Sequence, residues 1–155
     1  MQPWKYDGQI YEPECDVTSK EFIYHGFVYL IENLANGKSY IGKKGFTFSK
    51  TRQVNKKKKR YRAESDWRDY CGSSEALLKD VEHYGAQCFR RTILHLCRSK
   101  GECSYLELYE QIVRNVLLDE LYYNGIIQCR ISSIHLKALK EDFINSSQEQ
   151  DLFQK

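Results

Sequence analysis

The dipeptide Asn36-Gly37 lies between two segments rich in aromatic and β-branched residues, FVYLIEN (27–33) and KSYIGKK (38–44). Asn-Gly occupies the positive-φ positions of two-residue turns and is the strongest short-range signal for a hairpin. We therefore expect an antiparallel hairpin over 27–44. Tyr29 and Tyr40 are eleven residues apart across this turn, and that separation lets both side chains emerge on one face of the sheet.

The remaining patterns predict helices and one further strand. SSEALLKDVEHYG (73–85) has a helical apolar face, a serine that can cap its start and a glycine that can end it. CFRRTILHLC (88–97) predicts a strand, and YYNGIIQCRI (122–131) predicts a turn followed by a short extended piece. The predicted fold is α+β, with a small three-stranded antiparallel sheet and flanking helices.

A second, longer helix is predicted at about 100–119. Ser99 and Glu102 have the spacing of a capping box, which marks a helix start. The apolar residues expected to face inward from this helix are Leu106, Tyr109, Val113, Val116 and Leu117.

The chain divides into three predicted parts. We expect an irregular arm at residues 1–24 and the folded domain at residues 25–139. The polar residues 140–155 are expected to form a frayed tail. No run of eighteen apolar residues occurs, and the N-terminus lacks the apolar stretch of a signal peptide, so we expect no membrane contact and a cytoplasmic location. The six cysteines form no C-x-x-C motif, which predicts buried, reduced thiols.

Positive charge is concentrated in one short segment. Ten basic residues and no acidic residue lie between Lys43 and Arg62, which leaves 14 basic against 21 acidic residues elsewhere. FTFSKTRQVNKKKKRYR (46–62) has no clean period and predicts an exposed basic loop, with room for a short helix. The residues expected to bind DNA are Lys43, Lys44, Lys56, Lys57, Lys58, Lys59, Arg60 and Trp67, although a lysine run can also be merely solvated and Trp67 can also pack in a core.

The hairpin resembles the paired motif of the GIY-YIG nuclease superfamily. Phe27-Val28-Tyr29 stands at its first element, with Phe-Val in place of Gly-Ile, and Tyr40-Ile41-Gly42 stands at its second. The later part of the chain resembles phage-type, freestanding, homing-endonuclease-like members of this superfamily. The segments that resemble their middle and end are, in order, DWRDYCGSSEALLKDVEHYG, ECSYLELYEQI and Tyr123-Asn124. The resemblance covers about 25–131.

This resemblance implies a metal-dependent endonuclease that cuts double-stranded DNA. One divalent ion, Mg²⁺ or Mn²⁺, would be held by Glu107, and the tyrosines and an arginine would surround the scissile phosphate. Arg52 has the nearer spacing for that arginine, with Arg62 and Arg60 as rivals. Asn124 would either bond backbone or support the site. The resemblance also allows a homodimer or an accessory specificity partner and, for a phage-encoded protein, action in the host cytoplasm.

Two further glutamates compete for the metal. Glu102 is explained as a helix cap, and Glu110 lies three residues beyond Glu107, where a solvated helix face is the usual fate of a carboxylate. Two other functions stay open. One is a catalytically inactive nucleic-acid-binding module that grips the backbone through the 43–62 segment, and the other is an interaction protein whose basic loop docks an acidic partner.

Overall fold

The computed structural model describes residues 1–142 and 145, with Val54 and His135 described in their backbone only. Over these residues the main sheet has five strands, which are Trp4–Tyr6 (β1), Gln9–Ile10 (β2), Gly26–Asn33 (β3), Ser39–Gly45 (β4) and Phe89–Cys97 (β7). Their order across the sheet is β2-β1-β7-β3-β4. The α+β class is confirmed, but the expected number of three strands was wrong because the first ten residues add β1, parallel to β7, and β2.

The predicted hairpin is confirmed as the antiparallel pair of β3 and β4. Tyr29 pairs with Gly42 and Ile31 pairs with Tyr40. Gly37 has a φ of 77°, which is the conformation that its place in the turn requires. Residues that pair directly share a face, and side chains alternate along a strand, so the two tyrosines lie on the same face as predicted.

The expected basic loop was wrong, because this segment forms two paired strands, β5 (Thr47–Val54) and β6 (Lys57–Glu64), in a separate antiparallel ribbon. We call residues 47–64 the basic ribbon. Asn55 and Lys56 connect the strands with φ values of 50° and 60°. Two consecutive positive φ values give the turn a twist that matches a two-stranded ribbon, so the turn geometry can fix the register despite the lysine run.

The two predicted helices are present, each with its serine cap. Helix α1 spans Glu75–Tyr84, and the Ser74 side chain accepts a hydrogen bond from the Leu77 amide. Helix α2 spans Lys100–Val113, and Ser99 accepts from the Glu102 amide.

The predicted end of α2 at about 119 was wrong. Asn115 adopts the left-handed conformation, with a φ of 52°, and stops the helix at Val113. The predicted inward face was also partly wrong, because Tyr109, Val113 and Leu117 are each about half exposed.

The main sheet is covered on both faces. On one face, β3 residues pack with Leu77 of α1 and with large aromatic residues, which are Trp4 of β1 and, from outside the sheet, Phe46 and Trp67. On the other face, Val28 and Ile41 pack with Cys103 of α2. Because β4 is an edge strand, side chains from the layers that cover the two faces of the sheet can meet around its open edge.

Residues 122–131, all described, form no strand beyond one bridge between Ser39 and Tyr122. A 3₁₀ turn follows at Ser133–Leu136 and leads into helical residues at 137–142, so the first residues of the predicted tail are helical. Most of the predicted tail, residues 143–144 and 146–155, lies outside the described residues. All six cysteines are free thiols, but only Cys97 and Cys103 are buried, so the expectation of burial was wrong for the other four. No helix in the described part of the chain is both long enough and apolar enough to cross a membrane.

Candidate active site

Tyr29 and Tyr40 lie side by side on the sheet, with ring centroids 6.2 Å apart. Tyr29 is only 1% exposed, and burial raises its pKa well above the usual value, with Tyr70 and Tyr40 adding to the effect. Tyr40 is half-buried, and burial also raises its pKa, although its hydrogen bond with Ser73 opposes the shift. Both phenols are therefore protonated at neutral pH and can donate hydrogen bonds.

Tyr40 lines a cavity of about 580 Å³ at the open edge of β4. The start of α1, the inner side of α2 and the segment 123–128 form the other walls. Polar residues that line the cavity include Tyr40, Ser73, Glu107, Gln111 and Asn124. The hydroxyls of Tyr40 and Ser73 are 3.0 Å apart, so the loop before α1 fixes the tyrosine from the side opposite the sheet.

Glu107 brings a carboxylate to this cavity from α2. Its side chain is 17% exposed, and its Oε2 is 2.6 Å from the Lys43 ammonium on β4. Lys43 also donates to the Ser104 hydroxyl at 3.1 Å. The Glu107 charge contributes to raising the pKa of both tyrosines, which shows that the carboxylate and the phenols share one electrostatic environment.

The two competing glutamates have other partners. Glu102 is buried and accepts a hydrogen bond from the Arg98 amide at 2.8 Å, ahead of the helix that it helps to cap. Glu110 is buried between the His95 ring, 2.5 Å from one carboxylate oxygen, and an ion pair with Arg114. The Arg114 contact satisfies the second oxygen electrostatically, although its geometry is not that of a hydrogen bond. Of the three, Glu107 alone lines the cavity.

The donor set around Glu107 is compatible with a hard divalent ion. Among the described residues, no cluster of three or more His, Cys, Asp or Glu side chains has the arrangement of a metal cage. Magnesium needs no such cage, because it retains several waters and binds through one or two carboxylates. Glu107, facing a cavity with room for those waters, fits that requirement.

Asn124 holds the strand that carries Tyr40. Its Oδ1 accepts from the Ile41 amide at 3.0 Å, and its Nδ2 donates to the Ile41 carbonyl at 2.8 Å. Gln111 donates to the same carbonyl at 3.3 Å. The Asn124 side chain thus takes the place of a neighbouring strand at the open edge of β4, between Tyr40 and Gly42.

The predicted arginines lie on the basic ribbon. The Arg52 guanidinium lies over the Tyr61 ring, 5.4 Å from its centroid. Arg62 donates to the Val17 carbonyl and the Thr47 hydroxyl at the base of the ribbon. None of these contacts involves Tyr29, Tyr40 or Glu107. The cation that contacts Glu107 is Lys43.

The predicted DNA contacts fall into three groups. Lys43 is paired with Glu107, and Lys44 bonds to Asp66 at 2.6 Å and lies 3.7 Å above the Tyr70 ring. The run 56–60 is exposed on the basic ribbon. Trp67 is a core residue rather than a DNA contact, since its ring is 1% exposed. The indole donates to Glu64 at 2.8 Å.

Sequence reasoning did not identify Ser73 or Gln111 as parts of the site. A signal for Ser73 was present, because the Gly72-Ser73 step precedes the predicted α1 helix in the segment that carries the resemblance. Gln111 is four residues beyond Glu107, one helical turn along the same side of α2. Only the packing of α2 against β4 identifies its partner as Ile41.

Two comparisons with known proteins found matches to this chain. A family model described as "Putative endonuclease segE, GIY-YIG domain" matches residues 4–127. A curated relative, "Putative endonuclease segE" of Enterobacteria phage T4, is 33% identical over 103 residues. That similarity covers 66% of this chain and 40% of the phage protein, so the chain spans well under half the length of this relative. No solved structure matches the chain.

Proposed function

Because this chain belongs to the segE-type GIY-YIG endonuclease family, we propose that it hydrolyses phosphodiester bonds of double-stranded DNA with one divalent metal ion at Glu107. The observation that carries the proposal is the meeting of Tyr40 and Glu107 at one cavity. They come from different layers of the fold, and both can face a single phosphate there. Such a site needs a metal-binding carboxylate and fixed hydrogen-bond donors.

The residues divide the proposed work between them. Glu107 would hold the ion, Mg²⁺ or Mn²⁺, which would supply positive charge and lower the pKa of a bound water. Tyr40 donates its phenolic hydrogen to a non-bridging phosphate oxygen, and Ser73 keeps the phenol in that orientation. Tyr29 supports the Tyr40 ring from the core, and Asn124 fixes the strand between Tyr40 and Gly42.

The cations have a second task in this proposal. Phosphate contacts position a protein on a duplex without reading its sequence. Lys43, Lys44 and the run 56–60 supply such contacts, and Arg52 and Arg62 bind flanking phosphates from the ribbon rather than the scissile one. The proposed place of action is the cytoplasm of a bacterial host, which is consistent with a relative from a bacteriophage.

The pairing of Lys43 with Glu107 favours a second candidate, a binding module without catalysis. The lysine ammonium lies 2.6 Å from the carboxylate and neutralises the charge that a metal needs. In this alternative the tyrosines and Glu107 form a scaffold, and the 43–62 segment grips the DNA backbone.

Nicking and linearisation of supercoiled plasmid in Mg²⁺ distinguish the two candidates. Glu107→Gln removes the charge at nearly constant shape, and Glu82→Gln makes the same change at an exposed position on α1. We expect cleavage by the wild-type protein and by Glu82→Gln, and none by Glu107→Gln at unchanged thermal stability. Cleavage that persists in Glu107→Gln would overturn the assignment of Glu107. Tight, salt-sensitive binding without cleavage by any variant would favour the binding module.

A further inference from the structure

We propose that the basic ribbon enters the major groove of duplex DNA and that one of its two faces determines sequence preference. This inference rests on the proposed function only for the choice of DNA as the substrate. It adds a recognition element, separate from the cleavage centre, to a site that otherwise contacts phosphates.

The strand register divides the ribbon into two chemically different faces, because directly paired residues point to the same side. On the first face, neutral hydrogen-bonding residues of β5 stand opposite cations of β6. The pairs are Ser49 with Arg62, Thr51 with Arg60, and Gln53 with Lys58. On the second face, lysines and rings predominate, and the members are Phe48, Lys50, Arg52, Lys57, Lys59 and Tyr61.

The first face has the chemistry that distinguishes base pairs. Arginine and lysine bond to guanine, glutamine bonds to adenine, and serine or threonine bonds to several base edges. Gln53 and Arg60 lie diagonally across the two strands on this face, within reach of neighbouring base pairs. Lysines that carry a compact, mobile charge suit phosphates better than base edges, and they predominate on the second face.

The charge of the ribbon is uncompensated. Eight cations lie between Lys50 and Arg62, all on exposed residues. Among the described residues no carboxylate forms an ion pair with any of them, and Glu64 at the base of β6 bonds instead to Trp67 and Arg68. Like charges this close repel one another, and a polyanion relieves the repulsion. The complementary partner is therefore a duplex backbone on both sides of a groove.

The dimensions of the ribbon also fit a groove. Its strands of eight residues extend about 25 Å at about 3.4 Å per residue, and the major groove, roughly 12 Å wide, admits a two-stranded ribbon. The base of the ribbon is fixed, because Phe46 is fully buried and the Arg62 guanidinium bonds to Val17. Since β4 leads directly into the ribbon, a fixed base sets the distance between the bases that are read and the phosphate at Tyr40.

Selection from a randomised duplex library tests this inference without requiring cleavage. The protein carries Glu107→Gln, and the buffer contains EDTA, so that only binding is selected. We expect the ribbon of this protein to enrich a short motif. A variant of the first face, which we call the neutral-face variant, combines Ser49→Ala, Thr51→Val and Gln53→Met. These changes remove the neutral hydrogen-bonding groups of that face and leave its charge unchanged. We expect this variant to lose the preference at one or more positions by about tenfold, with an unchanged dependence of affinity on salt.

The matched control is a charge variant of the second face, Lys50→Gln with Lys57→Gln and Lys59→Gln. We expect it to weaken binding to all sequences alike, reduce the salt dependence and keep the motif. Replacement of adenine in the selected site by 7-deaza-adenine removes only the major-groove acceptor that a glutamine contacts, and it should weaken binding of the parent protein more than binding of the neutral-face variant, which keeps Arg60 but lacks the Gln53 amide. Circular dichroism and thermal melting of both variants establish that the fold is intact.

The inference is overturned if no motif is enriched or if the neutral-face variant keeps the full motif. It is also overturned if duplex RNA binds as well as DNA, because the deep, narrow major groove of RNA excludes a ribbon.

Failure of the proposed function has a different signature. Motif selection by a protein whose wild-type form cuts no plasmid, including plasmid with the motif, would refute catalysis and support the groove contact. Cleavage without any selected motif would support catalysis and refute the groove contact.

Discussion

The hydroxyl of Tyr29 lies directly over Gly42, 2.5 Å from the point that a β-carbon at residue 42 would occupy. The Tyr40 ring is 3.0 Å from the same point. The glycine of the second motif element is therefore the space into which both motif tyrosines fit. The two halves of the hairpin motif are linked by this packing as well as by strand pairing.

Gly42→Ala should consequently displace both tyrosines. Tyr29 is buried in the core and cannot rotate into solvent, so we expect a loss of about 1–3 kcal/mol in the free energy of unfolding, as for other overpacked sites. Urea denaturation measures this loss. Gly125→Ala is the control, since its β-carbon meets nothing within 4 Å. Equal stability of the two variants would show that the hairpin adjusts at no cost.

Asn124→Ala should loosen the open edge of β4. The variant leaves the Ile41 amide without its buried partner, at about 1–3 kcal/mol, whereas Gln111 still donates to the Ile41 carbonyl. We expect amide exchange at Ile41 to accelerate more than exchange at Leu30, its paired residue on the central strand β3. Equal acceleration at both amides would mean that Asn124 stabilises the whole sheet and does not specifically position Tyr40.

The sequence predicted those elements whose signals are local. Asn36-Gly37 fixes the central hairpin, and Ser74 and Ser99 mark the starts of the two helices, so these features could be placed without tertiary information. The basic ribbon was missed because its strands are rich in lysine, which has a low strand propensity. Its signal was Asn55, a residue that tolerates the left-handed conformation in a two-residue turn.

Long-range partners account for most of the other differences. The pairing of β1 with β7 joins residues near position 5 to residues near position 92, and three residues of β1 carry no pattern of their own. Glu110 is buried only because α2 packs it against His95. The contact between Asn124 and Ile41 likewise depends on the path of the chain along β4, which no local spacing reveals.

Removal of Lys43 should strengthen metal binding by the free protein. The lysine ammonium competes with a divalent ion for the Glu107 carboxylate, and a partly exposed ion pair contributes up to about 1 kcal/mol. We expect Lys43→Met to bind Mn²⁺ about two- to fivefold more tightly in calorimetry without DNA. Lys44→Met is the matched control, because that ammonium bonds to Asp66. Weaker Mn²⁺ binding in Lys43→Met would contradict the competition.

The ionisation state of Tyr40 leads to a prediction about pH. Burial raises its pKa above 10.0, so the phenol keeps its proton throughout pH 6 to 9, and it can donate a hydrogen bond to phosphate but cannot act there as a base. Tyr40→Phe should therefore lower the single-turnover rate of DNA cleavage by about 100-fold, the usual effect of removing one fixed donor, by the same factor at every pH in this range. Tyr109→Phe, on the exposed side of α2, should leave the rate unchanged. If Tyr40→Phe instead lowered the rate by a factor that grew with pH, the phenolate would be the base and its pKa would be lowered in the complex with DNA.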